Sequence, residues 1–89
     1  MKWKDITTYR QGDKERISSW WRADLKTINL QVGNRHIYVE EGKWIMNCEK
    51  FGFDIHILEA DNEEDAKKEA VELVKVRIRE ICAELDEAK

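Results

Sequence analysis

FDIHILEADNEEDAKKEAVELVKVRIREICAEL, residues 53–85, changes its hydrophobic period partway through, and that change decides the fold class. Phe53, Ile55 and Ile57 alternate with Asp54 and His56, the period of a half-buried strand. Past Asp61-Asn62 the rule is different. Ala66, Ala70, Leu73, Val74, Ile78, Ile81 and Leu85 recur at three- and four-residue intervals, with Val71 and Cys82 at the edge of the same stripe. That is the apolar face of a helix, predicted over 62–86. Asp61 offers a cap, and Glu64 stands three residues later, as a reciprocal cap needs. Glu63, Glu64 and Asp65 suit the positive end of the helix dipole. Lys67, Lys68, Glu72, Lys75, Arg79, Glu80 and Glu87 take the other side. The small Ala66 and Ala70 come first, so closest approach to a sheet is expected at the amino-terminal end. The whole stripe reads as an ordinary core-facing helix.

Upstream, period two continues. Trp21, Ala23 and Leu25 alternate with Trp20, Arg22 and Asp24, and Ile28, Leu30 and Val32 with Thr27, Asn29 and Gln31. Gly33-Asn34 suits a tight hairpin turn before a strand at His36-Ile37-Tyr38-Val39-Glu40. Glu41-Gly42 turns into Lys43-Trp44-Ile45-Met46-Asn47-Cys48, and Lys50-Phe51-Gly52 turns again. Connections this short join antiparallel neighbours. The expected fold is α+β, an antiparallel meander of three to five short strands packed against one long C-terminal helix. Residues 1–16, with Trp3, Ile6, Tyr9 and a turn at Gln11-Gly12-Asp13-Lys14, read as an extended arm. Residues 17–58 form the sheet and 62–86 the helix, in a single domain spanning 1–89.

Composition excludes several classes. Charged residues are 39% and apolar ones 42% of the 89, too much patterned hydrophobicity for disorder. No run of 18 apolar residues occurs, and Met1-Lys2-Trp3-Lys4-Asp5 lacks a signal-peptide pattern, so a cytoplasmic protein without membrane association is expected. Residues 1–50 hold ten Lys/Arg against seven Asp/Glu, a net +3, and residues 51–89 six against twelve, a net −6. The sheet half is basic and the helix half acidic, a polarity that bears on partners.

Catalytic signatures are missing. His36 and His56 alternate with isoleucines, so both are expected to point away from the apolar face, with no ligand pair at metal-site spacing. Cys48 and Cys82 read as small core residues, and Cys48 has no neighbouring His or helix terminus in sequence that would activate its thiol. Ser18-Ser19 lies in a strand without a strained turn, and Glu40-Glu41 reads as solvated charge at a turn. No cofactor, metal or catalytic residue is expected.

Binding is the class that survives. Trp20 and Trp21 are adjacent on a strand and point to opposite faces, one under the helix and one on the far side. The candidate binding face is Trp20, Arg22, Arg35, His36, Tyr38 and Trp44, since Trp, Tyr and Arg are the usual anchors of protein interfaces. The arm, through Trp3 and Tyr9, is the alternative cover for that face. A protein partner or self-association is expected. Nucleic acid, gripped by Arg22, Arg35, Tyr38 and the outward Trp, is opposed by the net charge of −3.

HIYVEEGKWIMNCEKFGFDIHILEADNEEDAKKEAVELV, residues 36–74, is similar in outline to HicB-type antitoxin domains, where a strand pair precedes a helix of this Glu-and-Ala texture. The resemblance implies a toxin-neutralising, oligomeric protein. The proline-containing loop of that family and its helix-turn-helix have no counterpart here. The same order of elements resembles double-stranded-RNA-binding domains, here without the preceding helix or the basic loop, and the arm-binding domains of phage integrases. The chain as a whole is similar to short phage and prophage proteins of unassigned role.

Overall fold

Five short strands and one helix follow the chain in order, in a computed structural model that describes residues 1–8, 18–36 and 38–87. They are β1 (Trp3–Asp5), β2 (Trp20–Ala23), β3 (Gln31–Gly33), β4 (Ile45–Cys48), β5 (Phe53–Ile57) and α1 (Glu63–Glu87), with a single 3₁₀ turn at Glu49–Phe51. The strands pair antiparallel in the order β1-β2-β3-β4-β5, a plain meander. The α+β class and the antiparallel sheet are as expected. Among the described residues no helix is long and apolar enough to cross a membrane.

The helix covers one face of the sheet. Trp21, Ala23, Val32, Met46, Cys48 and Phe53 meet Ala66, Ala70 and Val74 in one buried cluster, closed by Leu30, Trp44 and Leu58. Ala66 and Ala70 are fully buried because only a methyl group fits where the helix comes nearest the strands. Trp44 is buried among them and stacks on Trp21, with ring centroids 5.7 Å apart at 26°. Such a pair adds about 0.5–1.5 kcal/mol beyond the area it buries.

Three elements depart from the sequence pattern. The arm is not merely laid over the domain: Trp3–Asp5 adds an edge strand, with Trp3 opposite Ala23 and Asp5 opposite Trp21. Trp3 therefore packs on the helix side and does not cover the far face. Tyr9 and the turn expected at residues 11–14 lie outside the described residues. The second departure is the strand expected at 36–40. Gly33 ends β3 and β4 begins only at Ile45; among the described residues between them none is in a strand, and Tyr38 and Val39 lie in a turn and a bend. Ile37 lies outside the described residues. The physical reason is Trp20, whose ring lies across Gly33 so closely that a Cβ there would stand 2.5 Å from it. Asn34 N–H donates to Ser19 O at 3.1 Å, holding the chain beside β2 past the end of the strand.

The third departure is a bulge in β5. Met46 faces His56 and Cys48 faces Phe53, so Asp54 and Ile55 together oppose Asn47. The inserted residue reverses the parity of the strand. Phe53, His56 and Leu58 then lie on the helix side and Ile57 on the other, although Phe53, Ile55 and Ile57 looked like one face. His56 is accordingly not turned away from the apolar side, but sits at its rim, edge-on to Phe53 at 5.4 Å. Asn47 Oδ1 accepts the Ile55 N–H at 2.6 Å and so satisfies the bulge, in which Ile55 takes a φ of 48°.

The helix starts one residue later than the expected cap. Asn62 Oδ1 accepts the Asp65 N–H at 2.9 Å, while Asn62 Nδ2 donates back to Asp65 at 3.0 Å. Asn62, not Asp61, is the cap, and Asp65 its partner in place of Glu64. Glu69 reaches back from the second turn, its carboxylate accepting the N–H groups of Glu59 and Ala60.

Candidate functional site

Trp20, the outward member of the tryptophan pair, is half-buried, whereas Trp21 is 8% exposed within the core. Its ring packs closely against Gly33, and its indole N–H donates to Arg35 O at 2.8 Å. The β3–β4 connection is thereby drawn onto the far face. Ile45 is fully buried there, outside the core cluster, on the same side of the sheet as Trp20.

From Trp20 an aromatic step leads out to solvent. His36 meets the Trp20 ring edge-on at 6.4 Å, and Tyr38 leans on His36 at 5.5 Å. The Tyr38 N–H donates to His36 Nδ1 at 3.1 Å, which fixes the imidazole and places its acceptor nitrogen toward the turn. Tyr38 itself is 81% exposed. Ile6, Trp20, Gln31, Arg35 and His36 border an open cleft of about 590 Å³ beside this step.

Next to the aromatics runs a polar row. Lys4 stands directly opposite Arg22, Arg22 opposite Gln31, and Gln31 opposite Asn47, so their side chains share the far face. Lys4 and Arg22 are both exposed, and among the described residues neither has an ion-pair partner. Two like charges directly across a strand pair repel, by a few tenths of a kcal/mol up to about 1 kcal/mol. An anion set between them would relieve that repulsion.

Of the six residues singled out from sequence, Trp20, His36 and Tyr38 thus form one contiguous step. Arg35 adjoins it through its carbonyl, and Arg22 lies across the strand from Lys4. Trp44 does not belong with them. It is buried under the helix because β4 keeps strict alternation, which puts Trp44 with Met46 and Cys48 on the core side. Lys4 was not singled out, and its signal was register: a strand of three residues carries too little pattern to be paired from sequence.

On the helix side the polar groups are structural. Lys67, expected on the outer side of α1, instead stretches over the core edge, its ammonium 4.8 Å from the Trp21 ring and 5.4 Å from the Trp3 ring. Glu63 holds it at 2.7 Å. Asp5 accepts the Ser18 hydroxyl and the Thr7 N–H, hydrogen bonds that hold its carboxyl below the ordinary 3.8. Burial pushes the Cys48 thiol above its ordinary value. Cys82, read as a core residue, is exposed on α1. Among the described residues no group of three or more His, Cys, Asp or Glu comes together.

No family model, curated protein or solved structure matches the chain.

Proposed function

We propose that this is a small non-enzymatic interaction protein that engages an acidic segment of a protein partner on the far face of its sheet. The observation that carries the reading is the aromatic step from half-buried Trp20 and His36 out to exposed Tyr38, beside the facing cations Lys4 and Arg22. Aromatic anchors that are already positioned lose little freedom on binding, and a cation pair in mutual repulsion gains by meeting a carboxylate. Support for a protein over a nucleic acid comes from the state of Trp20. The Trp20 ring packs against Gly33 and its N–H is spent on Arg35, so among the described aromatic residues of this face Tyr38 offers the most open ring for base stacking.

A photo-crosslinking residue placed at Tyr38, with the same group at Glu72 on the outer side of α1 as control, tests the reading in cells that express the protein. A discrete protein adduct is expected from position 38 only, and Arg22→Glu should reduce it several-fold. Titration of single-stranded DNA and RNA at low and high salt forms the second arm. Oligonucleotide binding that collapses with salt, without a protein adduct, would transfer the face to nucleic acid. The absence of both a protein adduct and oligonucleotide binding would sink the reading.

A further inference from the structure

The apolar stripe of α1 is longer than the sheet it covers. Ala66, Ala70 and Val74 are buried, but Ile78 is 37% and Leu85 67% exposed, and Cys82 is exposed beside them. Arg77 marks the rim. Its Nη1 donates to Phe51 O at 3.0 Å and its guanidinium lies 4.9 Å over the Phe53 ring, so the sheet ends there. Residues 78–87 run on past it, about 15 Å of helix at the usual rise. The molecule is correspondingly long, 57 Å against 26 and 20 Å.

Val74, Ile78, Ile81 and Leu85 follow one another at intervals of four, three and four, the seam of a paired helix. Charge along the overhang is segregated. Residues 75–79 hold Lys75, Arg77 and Arg79 and no acid, whereas residues 80–87 hold Glu80, Glu84, Asp86 and Glu87 and no base. Acids at this end oppose the helix's own dipole, which favours cations at the carboxyl terminus. The last turn has none.

We propose that the overhang pairs antiparallel with the overhang of a second copy of this chain. Reversing one helix sets each acidic segment beside the basic segment of the other, whereas a parallel pair would stack acid on acid. The two-fold arrangement that the stripe permits places Ile78 against Ile81 of the second copy, and Leu85 at the second copy's sheet rim near Val74. On one flank Arg77 then faces Glu84 of the second copy, where Glu80 is its neighbour within the chain at 3.5 Å. The seam is short, so the interface falls below about 1,200 Å² and belongs with weak, reversible dimers. This surface is separate from the Tyr38 face and does not depend on it.

Sedimentation equilibrium from ~5 to ~500 µM protein tests the pairing, over the range where an interface of this size assembles. The wild-type chain should pass from monomer to dimer within it. Leu85→Asp, at an exposed position, should weaken the dimer by at least about tenfold, and Glu84→Arg by several-fold. Circular dichroism should show the helix retained in both. A monomer throughout the range overturns the proposal, and so does a dimer that Leu85→Asp leaves unchanged or an assembly larger than two.

Discussion

Replacing Gly33 with alanine would set a methyl group 2.5 Å from the Trp20 ring and 2.8 Å from Ser19 O, and the backbone oxygen cannot swing away. A loss of about 1–3 kcal/mol is expected, read as a lower urea midpoint with unchanged slope. Trp20→Ala in the Gly33→Ala background should cost less than in the wild type, because the clash has gone. The thiols give a second residue-scale contrast. Cys82 should react with a thiol reagent at once and Cys48 only as the domain opens, since burial keeps its thiol protonated. Asp5 supplies a pH dependence. Its folded carboxyl lies below the ordinary 3.8, so it stabilises the fold above that pH, and the contribution is lost as pH falls through the lower folded value. Asp5→Asn should flatten the acid limb of a stability-against-pH curve below about pH 4. That Trp20 and Trp21 oppose one another was legible from their adjacency alone. Which one faces the helix was not, because the answer lies in Gly33, thirteen positions from Trp20, which gives that indole a place to lie.

Elements were legible where pattern was long and illegible where it was interrupted. The stripe from Ala66 to Leu85 runs for more than five turns of the 25-residue α1, and the helix stands within a residue or so of its expected bounds. Its cap was misread by one position because Asp61 and Asn62 are both good caps, and only the bond to Asp65 N distinguishes them. Asn62→Ala should cost about 1 kcal/mol, seen in the thermal midpoint, and Asp61→Ala much less. β5 was found as a strand but with its faces confused, because a bulge is a matter of pairing and leaves no mark on alternation. Asn47 is the residue that stabilises it. Asn47→Ala leaves the Ile55 N–H without its acceptor and should destabilise by about 1–3 kcal/mol. The strand expected at 36–40 had good alternation, yet among the described residues there, His36 and Tyr38 to Glu40, none is in a strand. The chain just before it is tied to Ser19 and Trp20, through Asn34 and Arg35, by contacts that no local pattern records.

At the scale of the molecule, the candidate face was half legible. Aromatic and Arg residues on the sheet could be named, but Trp44 was assigned to the wrong side and Lys4 was passed over. Side assignment across several short strands compounds parity at every connection, and one irregular loop is enough to reverse it. The charge division between the halves of the chain does survive folding, with cations at Lys4 and Arg22 on the far face and nine of the nineteen acids on α1. Raising salt should therefore weaken binding at the far face and the pairing of the overhangs together, although the two are separate surfaces. Arg22→Glu should remove the first effect and leave the second, a distinction that partner binding and sedimentation at two salt concentrations would resolve.

Strand order in this molecule repeats chain order, and the helix comes after all of it. During synthesis the meander can therefore pair strand by strand as it leaves the ribosome, each new strand finding its neighbour already made. Its apolar face has no cover until Ala66, Ala70 and Val74 have emerged. Through that interval Trp21, Val32, Trp44 and Met46 face solvent on the nascent chain, and a stall just before the helix codons would leave the sheet available to chaperones or to other nascent copies.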